Sequence, residues 1–369
     1  MQTYHFKEEA SVPSPALIFY KDILEENTRT AIAAAGSSDR LWPHVKSHKS
    51  QDFTELQTKM GIKRFKCATI AEAEMAARTP AQQILLAYPL TGPNMERFIR
   101  LSLAYPEKTF YCLGDDIQQL TALSQLALSF QTRIPCLVDV NTGMDRTGVS
   151  FSSLLSFYKE LEQLPGLLPS GLHCYDGNRH EKDYAEREQK VKETIHQVSA
   201  VRDELNASGS PCPILIMGGS PTFPCYTQNM DGVYFSPGTV FLYDAGYKEQ
   251  FPDLPYEPGA AILTRVVSHP AKGYFTLDTG YKAISAEQGI RGIIPELPCA
   301  QEAFQSEEHW TFRMKDGFQQ ECPPIGTILY VIPWHVCPTV ALYDKALLIS
   351  SGSVAGEWPI TARSRKLTY

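Results

Sequence analysis

The sequence predicts an α/β protein: a (β/α)8 barrel followed by a C-terminal β-rich domain. Three observations carry this. Eight short β-rich runs recur between residues 41 and 238, with amphipathic helical stretches between them. The helical texture stops at about residue 245. Beyond it, strand-like runs alternate with Gly, Pro and Asp turns.

The elements follow in order. ALIFY (16–20) is a strand ahead of the barrel and fits either domain. The barrel strands are LWPHVKS (41–47), RFKCAT (64–69), QILLAYP (83–89), TFYCLG (109–114), IPCLVDV (134–140), GLHCYD (171–176), ILIMGG (214–219) and VYFSPG (233–238). TIAEAEMAAR, SSLLSFYKELEQL and AEREQKVKETIHQVSAVRDEL carry apolar residues at helical spacing. Alternating strand and helix argues for parallel βαβ units, and eight of them for ring closure over an open doubly wound sheet. AAILTRVVSHP, GYFTLDTGY, HWTFRMKDG and GTILYVIPWHVCPTVALYD are the strands of the second domain. The predicted domains are 22–244 and 245–369, with the N-terminal strand region, about 1–21, open to joining the latter.

Composition narrows the class. The chain has 369 residues, 43% of them hydrophobic, and a formal net charge of −7 that comes from scattered residues. It has no basic stripe for nucleic acid and no apolar run long enough to span a bilayer. The start, MQTYHFKEEASVPSP, lacks an apolar signal core. Nine cysteines without a CxxC pair favour reduced thiols and a cytoplasmic protein.

In a barrel of this class, chemistry sits at the C-terminal strand ends, with phosphate bound after strands seven and eight. Strand seven ends in Gly218-Gly219-Ser220-Pro221-Thr222 and strand eight in Ser236-Pro237-Gly238-Thr239. Both loops are small and hydroxyl-bearing, so their N–H groups admit an anion closely. Each taken alone is also an ordinary turn. On an extended strand one, His44, Lys46 and His48 share a face. A lysine at a barrel mouth is desolvated and attacks carbonyls; the plainer reading is a surface lysine. Such a lysine opposite a phosphate site implies pyridoxal phosphate. Arg146, in NTGMDRTG, suits the phenolic oxygen of that cofactor or a salt bridge. Tyr175 suits its ring face or a barrel layer. His335 and Cys337, two apart on a predicted strand, share a face and suit zinc; a buried His beside a buried Cys is the commoner explanation.

PHVKSHKS, VDVNTGMDRTG, GLHCYDGN, GGSPTF, SPGTVFLYD, LDTGYKA, SEEH and HVCPTVALYD occur in this order. Together they resemble the D-threonine aldolase and D-serine dehydratase family of pyridoxal-phosphate enzymes, which have the alanine-racemase type of fold. The resemblance covers nearly the whole chain. It implies that Lys46 is the Schiff-base lysine, Arg146 lies near the phenolic oxygen and Tyr175 is the ring-face partner. Gly219, Ser220, Gly238 and Thr239 become the phosphate cradle. His335 and Cys337 become metal ligands for the hydroxyl side of the substrate, and His44 and His48 border the pocket. The metal implied is zinc, with manganese or magnesium as alternatives.

Departures from the family pattern are informative. H-x-C resembles the dehydratase branch, whereas Tyr175-Asp176-Gly177 resembles the aldolase branch. Trp334 stands where Asn is usual. Ser236 stands where racemases carry Arg against the pyridine nitrogen, which weakens a racemase reading. The expected function is dehydration of D-serine or a related D-3-hydroxy amino acid to a 2-oxo acid and ammonia. Its alternatives are aldol cleavage to glycine and an aldehyde, a racemase, and a non-catalytic cofactor carrier. A zinc hydrolase using His44, His48 and His335 is the rival without pyridoxal phosphate. The expected partners are a small D-amino acid and a second copy of the chain in a homodimer.

Overall fold

The computed structural model describes residues 4–226 and 232–369; the first three residues of the predicted N-terminal region lie outside them. The chain divides into two compact units. One comprises Ala31–Lys46, Phe53–Gly238 and Ser364–Tyr369; the other comprises Met1–Thr30, Ser47–Asp52 and Thr239–Arg363.

The first unit is a parallel barrel. Among the described residues, Arg64–Cys67, Gln83–Leu86, Thr109–Gly114, Ile134–Asp139, Leu167–Cys174, Ile214–Met217 and Val233–Phe235 pair in that order, each parallel to the next. Strands such as ILIM and IPCLVD are apolar almost throughout, as strands covered on both faces must be. The intervening helices turn one apolar stripe inward: Phe151–Leu161 buries Leu154, Tyr158 and Leu161. The TIAE sequence starts Ile70–Ala77 with a cap. Thr69 accepts the Glu72 N–H, and Glu72 reaches back to the Ala68 N–H at 2.6 Å.

Strand one is where the expectation fails locally. Residues 41–47 form no continuous strand. Leu41 bridges Phe235 and His44 bridges Lys66. Trp42 and His44 donate to the Phe235 and Pro237 carbonyls at 2.7 and 2.8 Å, and Lys66 donates to the Pro43 carbonyl at 2.8 Å. The segment therefore joins the last strand to the first and closes the ring. Pro43 has no N–H for a ladder, and the chain then tightens into a 3-10 turn, Val45–Ser47.

The second unit is built on a mixed sheet. Ala16–Tyr20 lies between Ala260–Ser268, antiparallel, and Lys345–Ser350, parallel. Ala260–Ser268 also pairs with Tyr274–Leu277 and with Ile328–Pro333. Ile18, Tyr20, Ala261, Leu263, Tyr330, Ile332 and Ile349 form its core with Tyr4 and Phe6. The predicted strand through His335 and Cys337 stops at Pro333. His335 is instead the N-cap of a short helix, Val336–Val340. Among the described residues, no helix is long and apolar enough to cross a membrane.

Candidate active site

Lys46 lies half-buried on the 3-10 turn that follows the closing segment. Its N–H donates to His44 Nδ1 at 3.4 Å. Because the chain is turned and not extended here, His44, Lys46 and His48 do not share the face that period-two alternation predicts. His48 falls in the other unit, where its Nδ1 accepts the Ser50 N–H at 3.1 Å. Burial drives both imidazoles toward the neutral form. His48 is pushed down to about 3, and His44 falls well below its ordinary value, with Lys46, Lys66 and His173 adding repulsion. Both rings act as acceptors that fix turns.

The barrel interior holds a polar layer that the strand alternation did not reveal. Lys66 is 2% exposed, and its Nζ donates to Ser236 Oγ at 2.6 Å. Burial first, then Lys46 and Arg146, lower its pKa to about 7 against the pull of Asp139 and Asp176. His173 Nδ1 lies 2.7 Å from Asp139 Oδ1, and Thr147 donates to the other oxygen of Asp139 at 2.7 Å. Burial lowers the His173 pKa, and Asp139 only partly restores it. Among the described residues, the buried Nε2 of His173 has no hydrogen-bond partner. Tyr175 brings these groups together: Lys66 Nζ and the Arg146 guanidinium each lie 5.2 Å from its ring centre. Arg146 itself is exposed. The signal for Lys66 was present in RFKCAT, where a cation sits between two buried apolar residues of a strand covered on both faces.

The two predicted phosphate loops are buried. Gly218 takes a φ of +74°, a conformation that suits glycine, and the chain turns there. A Cβ on Gly219 would meet Tyr175 Cε2 at 3.3 Å, so glycine keeps the Tyr175 face open. The Gly219 N–H, however, is committed. It donates to Asp176 Oδ1 at 2.7 Å. Thr222 Oγ1 and the Tyr226 hydroxyl also donate to this buried carboxylate, at 2.8 and 2.9 Å. Gly219 thus serves by shape. Ser220 Oγ accepts the Gly238 N–H at 3.3 Å, which ties the two loops together.

In the second unit, His335 and Cys337 come together by the helix cap and not by strand alternation. Their side chains hydrogen-bond, and His335 Nδ1 meets Glu287 Oε1 at 2.5 Å. Burial lowers the imidazole pKa, but Cys337, Glu287 and Asp244 outweigh it and raise it to about 9. Asp244 is fully buried and accepts the Val336 N–H at 3.0 Å, anchoring the helix that carries Cys337. Thr239 Oγ1 lies 3.6 Å from Cys337 Sγ. Among the described residues, no group of three or more His, Cys, Asp or Glu converges on a metal position. Among the described residues, a zinc site closed by protein ligands alone is not formed. What remains is an imidazole beside a thiol, two donors of the type zinc takes, so water or substrate would have to fill the other positions.

The barrel unit fits pyridoxal phosphate on several observations. Lys46, Lys66 and Arg146 are three cations, whereas Asp139 and Asp176 already accept donors from elsewhere. That imbalance suits a ligand carrying a dianionic phosphate and a phenolate. Tyr175 supplies an aromatic face, and Gly219 keeps it clear.

The comparisons agree. A family model described as alanine racemase, N-terminal domain, matches residues 21–243, and a putative serine dehydratase domain matches residues 259–349. D-threonine aldolase of Arthrobacter sp is 30% identical over 96% of this chain and 93% of its own. The crystal structure of D-threonine aldolase from Filomicrobium marinum superposes with a TM-score of 0.89 at 26% identity, covering 97% of this chain and 98% of that one. D-threo-3-hydroxyaspartate dehydratase from Delftia sp. HT23 shares the fold at a TM-score of 0.81 and 22% identity, covering 95% and 98%. Structures of a D-threo-3-hydroxyaspartate dehydratase as a histidine-to-alanine variant and, in the metal-free form, as a cysteine-to-alanine variant share this fold as well. The barrel, its lysine and its polar layer, followed by the second matched domain, place this chain in the D-threonine aldolase and D-serine dehydratase family of pyridoxal-phosphate lyases, on the alanine-racemase fold.

Proposed function

We propose that the protein dehydrates a D-3-hydroxy amino acid, D-serine or a close analogue, to a 2-oxo acid and ammonia. Pyridoxal phosphate, when bound, supplies the aldehyde that takes the substrate amine and a ring that withdraws electrons from Cα. Lys46 would carry that aldehyde between turnovers and then accept the Cα proton at Nζ. Arg146 would hold the phenolic oxygen, Tyr175 would pack on the ring, and Ser220, Gly238 and Thr239 would hold the phosphate. His335 and Cys337 would hold a divalent metal, zinc by donor type, whose Lewis acidity assists departure of a hydroxyl group.

The observation that carries dehydration over its rivals is the contact between His335 and Cys337, an imidazole–thiol pair with Glu287 behind the ring. The dehydratase variants mentioned above replace a histidine and a cysteine two positions apart, the same spacing. Aldol cleavage is the second reading. Tyr175 and the 30% identity to an aldolase favour it. Supplying D-serine, D-threonine and D-threo-3-hydroxyaspartate, and measuring 2-oxo acid against glycine, tests the choice. Dehydration gives oxo acid and an equal amount of ammonia. Glycine as the main product from every substrate cleaved would overturn it in favour of the aldolase.

Nine cysteines without a CxxC pair support a reducing, cytoplasmic setting. A homodimer is the proposed assembly.

A further inference from the structure

Lys66 is a buried amine whose charged form has no carboxylate in direct contact among the described residues. Its Nζ is buried, its one hydrogen bond goes to the neutral hydroxyl of Ser236, and among the described residues it makes no ion pair with a carboxylate. A buried charge without a partner is costly, so a ligand that completes the pair would be stabilising here. Ser236 is itself 3% exposed. Its oxygen accepts from Lys66, so its own proton must point elsewhere. The nearest acceptor, the Gly218 carbonyl, is 3.4 Å away, long for an O–H···O bond. The Ser236 proton is therefore free to serve a better acceptor in the barrel.

The cofactor reading, on which this inference rests, offers three acceptors. The phosphate belongs to the loops at Ser220 and Gly238. The phenolic oxygen belongs to Arg146. The ring nitrogen lies para to the aldehyde carbon and is left without a donor. Lys66 and Arg146 each lie 5.2 Å from the Tyr175 ring centre, so both border the face on which a cofactor ring would pack. We propose that Ser236, polarised by Lys66, donates its hydroxyl proton in a hydrogen bond to the ring nitrogen of pyridoxal phosphate and holds that nitrogen unprotonated. A hydroxyl is too weak an acid to give its proton away, and an amine donating to it from 2.6 Å, when charged, opposes a second positive charge. A carboxylate at the same place would do the reverse.

This changes what Ser236 means. From sequence, its side chain removes a cation from the end of the last strand. In space, Lys66 restores that cation from the strand Arg64–Cys67. A neutral ring holds negative charge from Cα poorly. Such a site favours a reaction in which a leaving hydroxyl removes the charge at once, and disfavours slow exchange of the Cα proton.

The test reconstitutes the protein with pyridoxal phosphate labelled with 15N and reads the nitrogen chemical shift at neutral pH. Wild type is expected to show an unprotonated pyridine. Ser236→Asp is expected to show a protonated one, with its carboxylate paired to Lys66. Lys66→Met is expected to weaken cofactor binding on the order of tenfold. Its apo form should melt no lower than wild type, because an uncompensated charge has gone. A purely structural lysine would lower that melting point. A protonated nitrogen in wild type, or an unprotonated one in Ser236→Asp, overturns the proposal. Failure of the wild type to take up the cofactor at all overturns the reading beneath it.

Discussion

Asp176 Oδ1 accepts the Gly219 N–H at 2.7 Å, so the glycine of the seventh strand end is fastened to a buried carboxylate from the sixth. With Thr222 and Tyr226 on the same carboxylate, three donors converge on one side chain. This places a negative charge under a loop expected to receive a phosphate. The carboxylate sets the shape of the turn and leaves anion binding to the groups above it.

Asp176→Asn should therefore be tolerated and Asp176→Ala should not. The amide oxygen can accept from Gly219 and Thr222, while its NH2 donates to a turned Tyr226 hydroxyl. Alanine leaves buried donors unpaired, at a cost of about 2–4 kcal/mol. Burial holds the Asp176 pKa above the ordinary carboxylate value. A raised folded pKa gives stability that is full below about pH 3.9 and is lost as pH rises through the folded pKa. Subtracting the Asp176→Asn stability curve from that of wild type should show this loss. Urea unfolding of the three proteins measures both effects, and equal stability of Ala and Asn variants would refute the argument.

Lys46 should carry the cofactor. Borohydride reduction of the holoenzyme followed by peptide mapping should place the label on Lys46, and Lys46→Ala should take up none covalently. The rival amine is Lys66, whose pKa burial lowers to about 7. Label on Lys66 in wild type would reassign the role.

The apo form should lose stability in mild acid. His44, His48 and His173 are buried, and burial lowers the pKa of each. The unfolded chain protonates them first as pH falls below about 6.5, so the unfolded state binds more protons. For His48 the loss continues down to about 3. Denaturant unfolding between pH 8 and 5 should show a falling stability, and His48→Gln should flatten the curve. A flat wild-type profile would contradict the buried neutral state.

The barrel was legible because its strands are apolar on both faces and recur with helices between them; Ile134–Asp139 and Ile214–Met217 needed no tertiary information. Strand one was misread because a bridge made through Pro43 has no local signature. His335 and Cys337 were paired for the wrong reason. The expected strand alternation is absent, and a cap at His335 brings the same two side chains together. Lys66 left a local signal in RFKCAT, but its pairing with Ser236, 170 residues away, and that of Asp139 with His173, 34 residues away, left none. No window of sequence contains such a pair.

Metal binding should depend on a residue that does not itself ligate. Glu287 holds His335 Nδ1, which leaves Nε2 to face a metal, the arrangement by which a carboxylate fixes the tautomer and orientation of a ligating imidazole. Cys337 Sγ is positioned in turn by Thr239. Glu287→Gln should weaken zinc binding about 10- to 100-fold, as measured by competition with a chromophoric chelator. His335→Ala should abolish it. Cys337→Asp exchanges a soft donor for a hard one and should shift preference from zinc toward manganese or magnesium. Chelation should stop turnover of D-3-hydroxy amino acids and leave the visible absorbance of the bound cofactor in place, since Lys46 and the polar layer around Tyr175 belong to the barrel unit. Full turnover after complete metal removal would make His335 and Cys337 packing residues, with Glu287 no more than their salt-bridge partner.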